Sequence, residues 1–208
     1  YNNNMHEKKI RTVDDIIAAT EEYGFLTFWD AEKTAASTLS AIDFNTLWDL
    51  REQAVNSRRV AYGKYFRKKM TFVSLELFPH LCALRRDGYD FDSLADEGKA
   101  PRREILVMDA VNAEPAPVPS YALGKSLAIK GFDAAVASLQ NKTYLCVTFK
   151  KSAMGTALLN MPEDIFGSEL VRSAYGLSNA QNAEILSKAK VFKEYSEEEI
   201  KKALTPAV

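Results

Sequence analysis

A mainly α protein with small β wings, an α+β fold, is predicted by three observations. Apolar residues recur at helical spacing behind helix-capping residues in segments spread over most of the chain. Runs rich in β-branched and aromatic residues are short. The clearest, Tyr144 to Phe149 and Thr156 to Asn160, flank the loop Lys150 to Gly155 as a hairpin would. Between Arg102 and Asn160 three helical segments precede that hairpin, which is the order of a winged helix-turn-helix. The predicted architecture is therefore winged helix-turn-helix units in tandem, packed into one compact body.

The 208 residues can bury a real core, as one large domain or two small ones. Hydrophobic content of 47% beside 26% charged residues is that of an ordinary globular chain. No apolar run approaches the roughly 20 residues a membrane span needs, and the opening YNNNMHEKK lacks a secretory apolar core. A cytoplasmic protein with no membrane partner is the expectation. Cys82 and Cys146 sit in apolar sequence and read as reduced core thiols. Residues 1–11 are expected to form a flexible N-terminus and 12–100 a winged-helix-like region. Residues 101–161 then form a winged-helix domain, and 162–208 supply C-terminal helices packed on the core.

Element by element, Thr12 and Asp15 have capping-box spacing ahead of Ile16, Ile17, Thr20 and Tyr23, and Gly24 suits a positive-φ helix end. Phe25 to Trp29 is apolar enough to be buried, residues 30–43 are polar and ambiguous, and Phe44 to Ala54 resumes a helical pattern. Gly63 and Lys64 fit a turn, while Phe72-Val73 fits a short buried strand or part of a helix. A helix from Phe78 ends before the turn pair Asp87-Gly88, and Asp90 to Gly98 is acidic and loop-like. The three helices before the hairpin are Arg103 to Val111, Ser120 to Ile129 with Ser120 as cap, and Phe132 to Gln140. The run Pro115 to Pro119 is stiff and non-helical. Pro162-Glu163 opens a short segment, Ser178 caps a helix, and Ser196 with Glu199 forms a capping box before Ile200 to Leu204. No internal repeat recurs at a fixed period.

The stretch Tyr62 to Phe91 mixes large apolar residues with clustered cations. From Asn56 to Leu75 there are six Lys or Arg and no Asp or Glu, in a chain of net charge -1. A cationic block in a near-neutral chain is a local feature and a candidate anion-facing surface. The DNA-binding candidates are Arg58, Arg59, Lys64, Arg67, Lys68 and Lys69 in the block, with Tyr65 interleaved as a stacking or wedge residue beside Tyr62 and Phe66. Arg85 and Arg86 follow it, Lys150 and Lys151 sit on the wing, and Lys130 and Lys142 flank the third helix. That helix is poor in cations and carries Asp133 near its start, which argues against sequence-specific readout. The alternative is a solvated basic face with no ligand. Convergence of the cations on one concave face would favour binding, and scatter would disfavour it.

Other chemistries find little support. No glycine pattern cradles a pyrophosphate, and no cofactor is expected. His6 and His80 are the only histidines; His80-Leu81-Cys82 lacks further ligands, so no metal is expected and His80 reads as a surface or core-edge residue. Asp87, Asp90 and Asp92 could serve as a carboxylate pair for acid–base work on a glycosidic bond. Alternatively they form a salt-bridged turn that orients Arg85 and Arg86.

The segments YGKYFRKKMTFVSLELFP and RRDGYDF resemble the small AlkZ-related proteins of bacteria, distant relatives of the AlkZ-type winged-helix DNA glycosylases. The resemblance runs from about Asp15 to Phe166. It implies winged-helix units around a DNA-binding surface, with duplex DNA as partner. AlkZ-type enzymes carry a Gln-x-Gln or Gln-x-Asp motif after a Gly-Leu pair; the matching place here, after Gly24-Phe25-Leu26, holds Thr27-Phe28-Trp29. Their acidic, histidine-containing stretch before the segment matching Met70 to Ser74 is here the basic Lys64 to Lys69. Both departures remove polar groups that base excision would use. The expectation is a DNA-binding protein with no catalytic residues, engaging duplex DNA by charge and shape in damage recognition. The alternatives are a winged-helix scaffold for protein contacts or a homodimer, and an active glycosylase working through Asp87, Asp90 or Asp92.

Overall fold

A computed structural model of the chain describes residues 10–28, 44–66, 68–114, 117–150 and 155–206. The readings made for residues 1–9, Trp29, 30–43, Pro115 and Ala116 lie outside them. Helix α1 (Val13–Tyr23) begins at the expected capping box: the Asp15 amide donates to Thr12 Oγ1 at 3.2 Å and the Thr12 amide to Asp15 Oδ2 at 2.9 Å. It ends at Gly24, whose φ is 78° and whose absent Cβ would lie 2.5 Å from Leu77 and 2.9 Å from Ala189. Glycine is needed there for both conformation and space. Strand β1 (Phe25–Thr27), helix α2 (Phe44–Asn56) and the hairpin β2 (Val60–Phe66) with β3 (Lys69–Ser74) complete the first half. The three strands are antiparallel in the order β1-β3-β2.

After α3 (Phe78–Arg86) and α4 (Phe91–Asp96) a helix, a short strand and a hairpin recur, with two helices between strand and hairpin where the described residues of the first half have one. Helix α5 (Arg102–Ala113) leads to strand β4 (Val118–Pro119), helices α6 (Ser120–Leu127) and α7 (Phe132–Asn141), then the hairpin β5 (Cys146–Lys150) with β6 (Thr156–Asn160). The sheet order is β4-β6-β5, so in each half the short strand pairs with the second strand of the hairpin. The repetition is one of topology, without a repeat in sequence. Pro119 fits because β4 is an edge strand, where a missing N–H is tolerated. Helices α8 (Pro162–Phe166), α9 (Ser168–Arg172), α10 (Asn179–Ser187) and α11 (Glu197–Leu204) form the tail, the last two opened by capping boxes at Ser178 and Ser196.

The first hairpin is buried on both faces. Val60, Tyr62 and Phe72 face a core shared with α2, α5, α7 and the second sheet, including Leu47, Val107, Leu139 and Leu159. Ala61, Tyr65 and Val73 face a second core with α3 and the tail, including Leu81, Leu186 and Leu204. A strand covered on both faces reads as a continuous apolar run, which is why periodicity alone leaves Phe72-Val73 open. A register shift between Gly63 and Phe66 then bends β2 and frees the Lys64 peptide from the ladder. Two side chains of α7 take it up: the Lys64 amide donates to Gln140 Oε1 at 2.9 Å, and Asn141 Nδ2 donates to the Lys64 carbonyl at 3.2 Å.

Four local expectations are corrected. Gly63-Lys64 lies inside β2, because the irregularity is a bulge and the turn comes after Phe66. Asp90 to Gly98 contains α4, capped by Asp90 accepting from the Ser93 amide at 2.9 Å. Ser120 is the first helical residue of α6 with no capping bond, since Pro119 holds the N-cap position. Strand β5 begins at Cys146, because the Tyr144 and Leu145 amides both donate to the Leu139 carbonyl in a closing turn.

The backbone amides of Arg11 and Thr12 and the Thr12 hydroxyl hold the Asp15 carboxyl below its ordinary value. A depressed folded pKa stabilises above the ordinary carboxylate value, and that stability is lost as pH falls through the lower folded one. Thr12→Ala is expected to lower stability at neutral pH by about 1 kcal/mol. In urea titrations, Asp15→Asn is expected to flatten the loss of stability below about pH 4.

Candidate functional site

The cations predicted for DNA do not gather on one face among the described residues. Arg67 and Lys151 lie outside them. Arg58 is exposed in the turn after α2 at φ 59°. Arg59 is exposed beside it and pairs with Asp14 at 2.7 Å. Asn56 Nδ2 donates to the Phe149 carbonyl at 2.9 Å and Asn56 Oδ1 accepts from the Phe149 amide at 3.0 Å, which sets exposed Lys150 next to that turn. Exposed Lys68 and half-buried Lys69 belong to the opposite end of β2, about 20 Å away by strand rise. Exposed Lys130 sits between α6 and α7, while Lys142 is tied to Glu104 at 2.9 Å. Cations close in sequence are thus spread over two ends of a strand.

Three candidates are interior. Tyr65 is 0% exposed, its hydroxyl donating to the Leu145 carbonyl at 3.3 Å and its ring 5.4 Å from Phe78, and burial pushes its phenol well up. Tyr62 and Phe66 are buried with it, so none of the three can stack on a base as placed here. Arg85 is buried and donates to the carbonyls of Asn141 at 2.7 Å, Ala203 at 3.0 Å and Leu204 at 3.0 Å. Arg86 is buried against Thr143, Glu163 and the Tyr175 hydroxyl. The expectation that these arginines contact DNA is therefore corrected: Arg85 is buried among protein carbonyls, and Arg86 is buried with the Glu163 carboxylate as its anion.

Two of the three clustered aspartates are occupied too, and Asp92 is exposed. Asp87 accepts from Asn179 Nδ2 and does not orient either arginine. Asp90 caps α4, and the Ser93 amide and hydroxyl hold its carboxyl low, the opposite of what a general acid needs. His80 Nδ1 meets Asn182 Oδ1 at 2.8 Å at the core edge. Cys82 and Cys146 are free and buried, and burial pushes the Cys82 thiol up to about 11. Among the described residues no group of three or more His, Cys, Asp or Glu could hold a metal, and no helix is long and apolar enough to cross a membrane.

What the fold does bring together is a cleft of about 430 Å³ where the two halves meet. Its walls include Arg51 of α2, Lys64 of β2, Asp133, Val136 and Gln140 of α7, and Phe149 of β5. Arg51 is 6% exposed. Its guanidinium carbon lies 3.7 Å from the Trp48 ring centre, 4.2 Å from that of Phe149 and 5.2 Å from that of Phe28. Its ion pair with Glu52 is long, at 3.7 Å, and among the described residues neither Arg51 Nε nor the buried Tyr62 hydroxyl has a hydrogen-bond partner. Burial lowers the Arg51 pKa, offset in part by Tyr62 and Glu52, and burial raises that of Glu52. Glu52 in turn packs on Gly155, where a Cβ would lie 1.6 Å from Oε1.

A second concavity, of about 670 Å³, adjoins the first through the shared residues Ser120, Asp133 and Ala157. Its lining includes Tyr121, which is 73% exposed. Sequence reasoning missed both Arg51 and Tyr121. The signal for Arg51 was present: it falls on the apolar stripe of α2, three residues after Trp48 and four before Val55, where an aliphatic residue would ordinarily pack.

A protein-family model described as AlkZ related matches residues 10–205. No curated protein and no solved structure matches the chain.

Proposed function

The chain belongs to the AlkZ-related family, and from that premise we propose that it binds duplex DNA by charge and shape, in damage recognition and without base excision. In this reading each half is a winged helix-turn-helix unit, and its hairpin is the wing. The observation that carries the reading is that corresponding places in the two halves carry exposed lysines: Lys68 in the first hairpin turn and Lys150 at the start of the second. Arg58, beside Lys150, and Lys130 add to the second site. Such exposed cations position a duplex on its phosphates and carry no sequence information. Asp133 in the first turn of α7 disfavours phosphate at that helix start.

Fluorescence anisotropy of a labelled duplex, intact or carrying an abasic site, tests this at low and moderate salt. About four phosphate contacts should make log K fall with log salt at a slope near −3 to −4. The Lys68→Glu/Lys150→Glu variant is expected to bind at least about tenfold more weakly, since two phosphate contacts become repulsions. No binding at low salt would sink the proposal. It would turn attention to the scaffold reading, which an open apolar groove of Leu84, Ala183, Ile200 and Leu204 favours.

A further inference from the structure

We infer that the cleft between the halves, with its adjoining concavity, is a binding site for one unstacked nucleotide, taking the phosphate at Arg51 and Lys64 and the base on Tyr121. The inference rests on the DNA-binding reading for the source of the nucleotide, while the site chemistry rests on the cleft itself. A buried guanidinium is costly unless its donors are satisfied, and replacing it with an aliphatic side chain is often neutral or stabilising. Among the described residues Arg51 Nε has no partner and no carboxylate lies within hydrogen-bond distance of the guanidinium, yet it lines the cleft. The Trp48 and Phe149 ring centres lie 3.7 and 4.2 Å from its guanidinium carbon, and the planar N–H fork of a guanidinium suits a phosphate or carboxylate.

Lys64 completes the anion pole. Its peptide is clamped on both sides by Gln140 and Asn141, so its position on the cleft wall does not depend on the ladder. Asp133 stands at the junction of the two concavities and would repel a phosphate there, but it can accept from the exocyclic amine of a base. Charge therefore fixes the polarity of the ligand: phosphate inward, amino-bearing base outward. In the lining of the second concavity, exposed Tyr121 offers a ring on which a base stacks. At about 430 Å³ the cleft falls in the size range of small-molecule sites and takes a single nucleotide, not a duplex. The nucleotide comes either from a DNA strand that is unpaired at one position or from solution.

The test uses 2-aminopurine, which carries an exocyclic amine, in three forms: paired in a duplex, unpaired in a bulged duplex, and as the free deoxynucleoside monophosphate. Affinity is read by anisotropy of an end label for the duplexes and by 2-aminopurine fluorescence for all three. The bulged duplex is expected to bind at least tenfold more tightly than the intact one and to be quenched on binding. Tyr121→Ala should abolish the quench and the preference while leaving intact-duplex affinity unchanged. Arg51→Met should cut the preference at least tenfold in a protein that melts at the same temperature or higher. Equal affinity for bulged and intact duplex, with no quench in any form, overturns the inference and leaves duplex binding standing. Quenching of the free monophosphate that Arg51→Met abolishes, without duplex binding, upholds the site and overturns the DNA reading.

Discussion

Arg86→Met is expected to lower the unfolding free energy by about 3–5 kcal/mol, because it strips a buried ion pair of its cation. For a chain of this size that is a fall in melting temperature of roughly 10 °C. Arg86 Nη1 donates to Glu163 and to the Tyr175 hydroxyl, Nη2 to the Thr143 carbonyl and Nε to Thr143 Oγ1, and the guanidinium carbon lies 5.0 Å from the Tyr144 ring centre. One side chain thus joins α3 to the turn after α7, to α8 and to the segment before α10. Lysine cannot substitute, since it has no planar fork with which to hold four acceptors. The double variant Arg86→Met/Glu163→Leu should recover part of the loss, because the stranded carboxylate goes with its partner. Urea unfolding of the four proteins in that cycle measures the coupling. A loss below about 1 kcal/mol, with DNA affinity falling instead, would restore Arg86 to the phosphate-contact role its sequence context implied.

Much of the fold was legible because its signals are local. A capping box needs only two residues three apart, and Thr12–Asp15 and Ser196–Glu199 form as their spacing predicts. The order of α5 to β6 was legible for the same reason, each element having its own punctuation. Where two local signals compete, the reading fails. Asp90 ahead of an acidic run looks like a loop residue, yet a short helix forms because the same carboxylate caps it. The first hairpin fails for a different reason: covered on both faces, it has no alternation to read, and the bulge between Gly63 and Phe66 depends on amides from α7 more than seventy residues away.

The candidate site was legible only in part, and the cause is again range. Charge density along a sequence says nothing about which end of a strand, or which side of a helix, each cation occupies. Arg58 and Lys68 are separated by the whole of β2, and Arg59 is tied to Asp14. Arg85 and Arg86 looked like surface cations because their acceptors are carbonyls and a carboxylate contributed from distant segments, which no local pattern records. Arg51 was overlooked for the converse reason. A single cation in an otherwise ordinary helix adds nothing to a charge count, although its place on the apolar stripe marks it for burial.

Ending the chain after Tyr195 is expected to have the larger effect, because it removes both a face of the second core and the acceptors of a buried charge. Helix α11 contributes the buried side chains Ala203 and Leu204, with Ile200 partly buried, to the cluster that holds Phe66, Leu81 and Phe192. Burying a leucine contributes about 1.5–3 kcal/mol. Arg85 donates to the last carbonyls of that helix, Ala203 and Leu204, and without them retains only the Asn141 carbonyl. Stranding a buried guanidinium costs about 3–5 kcal/mol more, so the total of about 5–8 kcal/mol is comparable with the whole stability of an ordinary domain. The truncated protein should therefore lose its cooperative thermal transition and expose apolar surface that binds a hydrophobic dye. The two contributions separate in a second variant. Arg85→Leu in the truncated chain removes the stranded charge but not the lost burial, and it should restore a weak cooperative transition. The same substitution in the full chain should cost less than the truncation. If the truncated protein unfolds at the temperature of the full chain, α11 is an appendage, and the second core is closed without it.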